Sequence, residues 1–123
     1  MNHDQGLWRL ETQFWLAGAE FYERVLCADA LMVLPPPAGV LDRVATLESV
    51  RGARWRNVSI EARHLEFPDP RVAMLAYVAR AERGDPTSVY VAQCSSTYVL
   101  SADGWRLALH HQTPLGEDGE ART

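Results

Sequence analysis

The chain has 123 residues, 47% hydrophobic and 23% charged, with a formal net charge of −4. That length lets one domain bury its own core without metals or disulfides, and no apolar run approaches the ~20 residues that span a bilayer, so a transmembrane helix is excluded. Its 12 Lys+Arg are dispersed, which argues against a nucleic-acid partner, and Cys27 and Cys94, with no CxxC, read as small buried hydrophobes rather than a disulfide or a metal pair.

The first residues, "MNHDQGLWRLE", have no basic segment followed by an apolar one. A secretory signal is therefore not expected, and the cytoplasm is the expected compartment. From Asp4, a plausible N-cap, to about Cys27, apolar residues recur at Leu7, Leu10, Phe14, Gly18, Phe21 and Val25, the spacing of one helix face. Trp8, Trp15 and Tyr22 run seven apart beside them, so the buried face is wide and aromatic. "LMVL" at Leu31–Leu34 reads as a short strand, stopped by the prolines that follow because proline has no ladder donor. Asp42 can cap a short helix with Val44, Leu47 and Val50 facing inward and Gly52 ending it.

From Trp55 the period changes to two. "RNVSIEARHLEF", "VAMLAYVARAE", "VYVAQCSSTYVLS" and "WRLALHHQT" are four strands separated by "PDPR", "RGDPTS" and "ADG", turn chemistry that implies an antiparallel meander. The whole of 1–123 is expected to form a single domain, with 116–123 as a frayed polar tail.

Three stretches carry a family likeness: "QFWLAGAEFYERVLCADALMVLP" from Gln13, "WRNVSI" from Trp55, and "SSTYVLSADGWRLALHHQTP" from Ser95. On these the sequence resembles the nuclear transport factor 2-like superfamily, in particular its SnoaL-like branch of domains of unknown function. The resemblance implies an α+β fold: a long and a short N-terminal helix packed into a strongly curved, mainly antiparallel sheet, a cone-like α+β barrel. It also implies a pocket near the open end and a homodimer through the outer face of the sheet. Proton-transfer enzymes of the superfamily place an acid just after the first short strand, and its epoxide-opening enzymes use an Asp–Arg–Asp set. Here that stretch reads "MVLPPPAG", with Leu34 and Pro35 where a carboxylate is expected.

Adjacent strand residues point to opposite faces, so His110 and His111 cannot both face one cavity without a bulge. A short loop at "ADG" puts Trp105, Leu107, Leu109 and His111 on the face of Cys94, Ser96, Tyr98 and Leu100, toward the helices. A four-residue loop before it pairs Ala81 with Tyr90 and turns Leu75, Tyr77 and Ala79 inward. The candidate ligand-binding residues are then Trp15, Tyr22, Trp55, Tyr77, Ser96 and Tyr98, an aromatic pocket with a few polar handles, and His111 is the candidate catalytic residue. The opposite, flat face supplies the candidate dimer interface: His110, Gln112, Gln93 and Thr97. No phosphate-binding glycine motif is present, and no cofactor or metal is expected. The functional expectation is a homodimer that binds a small apolar organic ligand without chemistry of its own. The alternatives are a cofactor-free isomerase, cyclase or dehydratase with His111 as general base, and a non-catalytic assembly module.

Overall fold

The computed structural model describes residues 3–84 and 88–116. Three helices, α1 (His3–Leu16), α2 (Ala19–Val25) and α3 (Arg43–Ser49), accompany six strands among these residues. The strands are β1 (Leu26–Leu34), β2 (Gly39–Leu41), β3 (Asn57–Asp69), β4 (Val72–Glu82), β5 (Val89–Ser101) and β6 (Gly104–Pro114). They form one sheet in the order β2-β1-β6-β5-β4-β3, antiparallel except for the β1–β6 pair. The sheet curls around the helices without closing, the α+β arrangement expected.

Several local expectations change. The long N-terminal helix breaks at Ala17 and Gly18, and its last turn becomes the start of β1. Gly18 takes extended backbone there, φ −99° and ψ −162°, which a helix cannot use. α1 begins at His3, so Asp4 lies in its first turn rather than capping it. β1 starts five residues before the expected Leu31, and the three-residue β2 pairs with it. Asp42 does cap α3, its side chain accepting from Ala45 N–H at 2.9 Å. Val44, however, is 76% exposed, whereas Thr46 and Val50 are buried and Leu47 packs against the core. The turn expected over "RGDPTS" falls partly on 85–87, and most of the polar tail on 117–123, outside the described residues.

Pairing decides which side chains share a hollow. Ala81 opposes Tyr90 as anticipated, and Leu75, Tyr77 and Ala79 are buried. Leu100 opposes Trp105 and Tyr98 opposes Leu107, but Thr97 then opposes Leu109. Ala108 is thus an extra residue, a bulge, matched on the other side of β6 by an irregularity in β1 between Leu26 and Leu31. Beyond it, one residue of slip turns every following side chain over. His110 opposes Ser96 and is 4% exposed, while His111 opposes Ser95 and faces solvent.

Candidate functional site

The helical period places Leu7, Trp8, Glu11, Phe14 and Trp15 on one face of α1, and all are buried. Glu11, 0% exposed, is thereby driven against the concave sheet. There it meets Tyr77 of β4, Ser96 and Tyr98 of β5, and His110 of β6. Ser96 Oγ donates to Glu11 Oε2 at 2.6 Å, Tyr98 OH donates to Oε1 at 2.6 Å, and Tyr77 OH also donates to Oε2. Trp15 Nε1 donates to Tyr77 OH at 2.9 Å.

Behind this cluster a relay runs outward. His110 Nδ1 lies 2.7 Å from Ser96 Oγ and 3.4 Å from Glu11 Oε2. Since the single Ser96 hydroxyl proton goes to Glu11, Nδ1 is the donor and Ser96 Oγ the acceptor. His110 Nε2 lies 3.0 Å from Gln112 Nε2, and Gln112 Oε1 accepts from Tyr90 OH at 2.9 Å. In this amide orientation Gln112 donates to an imidazole that is neutral at Nε2. Turning the amide over offers Oε1 to a protonated Nε2 instead, so rotating one side chain adapts the chain of bonds to either charge state.

The electrostatics follow from burial and pairing. Burial is the largest influence on Glu11 and would raise its pKa, yet His110, Ser96 and Tyr77 together outweigh it and hold the carboxyl below its ordinary value. Glu11 is therefore an anion at neutral pH. Burial, reinforced by the Glu11 charge, pushes Tyr77 and Tyr98 well above the ordinary phenol range, so both remain proton donors to the carboxylate. Burial likewise raises Tyr22 and Cys94, each to about 12, which keeps the Cys94 thiol unreactive.

Next to the relay lies an open cavity of about 190 Å³, with walls that include Phe14, Trp15, Tyr22, Met32 and Trp55 and polar groups from Arg54, Arg83, His110 and Gln112. Trp55 stacks on Tyr90 at 5.3 Å between ring centroids and 15° between planes, and the Arg83 guanidinium covers it at 4.1 Å.

Of the residues anticipated from sequence, Trp15, Tyr22 and Trp55 line this cavity, while Tyr77, Ser96 and Tyr98 sit behind it on Glu11. His111 does not reach it. The Ala108 bulge turns His111 onto the convex face, beside Gln93 and Ser95, and brings His110 and Gln112 inside. The orientation expected for the two histidines is thus reversed, and His110 and Gln112 are removed from the outer surface. Gln93 and Thr97 stay there, as expected. Glu11 went unnoticed, although an acid at the centre of an apolar helical stripe was its signal. Among the described residues no group of three or more His, Cys, Asp and Glu side chains could hold a metal ion, and no helix is long and apolar enough to cross a membrane.

No protein-family model matches the sequence, and no curated protein matches it closely. Solved structures do. An NTF2-like protein from Cytophaga hutchinsonii superimposes with a TM-score of 0.76 at 15% identity, over 94% of this chain and 100% of that one. The chain has the NTF2-like fold. The association domain of C. elegans CaMKII is similar at TM-score 0.74 and 16% identity, over 89% of this chain and 94% of that one. A candidate ketosteroid isomerase from Parabacteroides distasonis gives 0.74 and 12%, over 90% and 86%. This NTF2-like fold is thus found in proteins described as enzymes and as assembly domains, and the choice for the present chain rests on its own residues.

Proposed function

We propose that this NTF2-like chain is a small-molecule-binding cytoplasmic protein whose ligand occupies the cavity beside His110, and that it works as a homodimer. The observation that carries the reading is the cavity itself: aromatic and aliphatic walls with a few polar side chains among them, the composition of a small-ligand site. His110 and Gln112 supply polar anchors there. The volume of about 190 Å³ is below the roughly 300–1,000 Å³ of pockets for drug-sized ligands, which points to a single ring with a short substituent. A fragment set screened by thermal shift tests this, with Leu34→Trp, a substitution in the cavity wall, as the blocked control. Fragments should raise the Tm of the native chain and not of the variant. Equal shifts in both, or none in either, would remove the reading.

A second reading, a proton-transferring isomerase, cyclase or dehydratase, is favoured by one observation: His110 is backed through Ser96 by a buried carboxylate, a base oriented by a third group. Turnover with a pH dependence lost in His110→Gln would support it.

The dimer reading rests on the convex face. Leu31, Leu109, Thr97 and Met74 are register partners across β1, β6, β5 and β4. Leu31, Leu109 and Met74 are 44%, 39% and 45% exposed, a continuous row of the kind that marks an interface, and Gln93 and His111 flank it. Two structural neighbours are described as an association domain of CaMKII and a candidate one, which supports a second copy as the partner.

A further inference from the structure

We infer that the ligand is an organic anion, a small apolar body carrying a carboxylate, held by Arg54 and Arg83; this rests on the cavity being a ligand site. Both guanidinium side chains line the cavity, and no described carboxylate does. Nor does any carboxylate of a described residue lie within ion-pairing distance of either arginine: the pairs found are Arg51–Glu48, Arg80–Glu61, Arg106–Asp103 and His110–Glu11. Glu11, the nearest buried anion to the cavity wall, is already saturated by its own partners.

Arg54 is held rigidly. Its Nε donates to Ala17 O at 2.8 Å, and its Nη2 donates to Phe14 O at 2.8 Å, Trp15 O at 3.1 Å and Tyr22 OH at 3.0 Å. These bonds brace the carbonyls at the end of α1 and use one edge of the guanidinium, so the Nη1 edge is the one left for a ligand. Arg83 is exposed, lies flat on Trp55 and donates through Nη1 to Ala53 O at 3.2 Å, which places it at the mouth. A half-buried cation with no counter-ion among the described residues is costly, and a carboxylate between the two arginines would relieve that cost with charge-assisted bonds. Gln112, also in the lining, spends one amide N–H on His110 and has a second to offer an acceptor on the ligand body. The cavity therefore presents cationic and neutral donors among apolar walls, the complement of a ring bearing a carboxylate and an oxygen substituent.

Phenylacetate and its neutral isostere phenylacetamide separate charge from shape, and quenching of tryptophan fluorescence reports both, because Trp15 and Trp55 line the cavity. The acid should bind about tenfold or more tightly than the amide, the ratio expected when one charge-assisted contact replaces a neutral one. Arg83→Gln should abolish the difference by weakening the acid more than the amide, and added salt should narrow it. Equal binding of acid and amide overturns the anion inference and leaves the pocket reading standing. A preference for the acid that survives Arg83→Gln overturns the assignment to these arginines. Failure of both probes to bind takes the pocket reading down as well.

Discussion

Two halves of one hollow are built on opposite terms. Around Glu11 every polar group has a partner and no space is left; around Trp55 the walls stand apart and two arginines lack acidic partners among the described residues. The deep half satisfies a buried charge with three hydroxyls and an imidazole, and so fixes α1 on the sheet. The outer half leaves charge and apolar surface uncommitted, which is what a site that must exchange its contents requires. His110 belongs to both, tied inward to Ser96 and outward to Gln112.

Substitutions should separate the halves. The largest effect is expected from Glu11→Ala, which strands three hydroxyls and an imidazole in the core; a loss of about 3–5 kcal/mol in denaturant unfolding matches the breaking of a buried pair. A loss under about 1 kcal/mol would mean that the cluster is not a structural keystone. The next effect is in acid. The carboxyl of Glu11 is held below its ordinary value of 4.5, so its contribution is complete above that pH and is lost as pH falls through the lower folded value. Glu11→Gln should flatten that part of the stability profile. The smallest effect on protomer stability is expected on the convex face, where Leu109→Glu should cost under about 1 kcal/mol yet convert a dimer to a monomer by sedimentation. A variant still dimeric would point the association elsewhere.

The same contrast marks what could be read from the chain alone. Alternation in β4 and β5 and the loop before Tyr90 fixed which of their side chains face inward, because one buried face specifies register strongly. The aromatic stripe of α1 likewise pointed to Trp15 and Tyr22. The bulge was not legible: Ala108 follows Leu107 in an unbroken alternation, and only the pairing of β6 with β5 on one side and with an irregular β1 on the other reveals the slip. The resembled enzymes carry their acid just after the first short strand. In this chain the buried carboxylate stands instead at Glu11, which helix arithmetic sets between Trp8 and Trp15 on the buried face.

The Ala108 bulge also sets which kind of genetic change this strand can absorb. Replacing residue 108 by another small side chain alters one position, and deleting it would restore strict alternation with His110 still inside and His111 still outside, because Thr97 already opposes Leu109 and Ser96 already opposes His110. A single codon lost there would straighten the strand and leave the lining of the cavity and the skin of the molecule as they are.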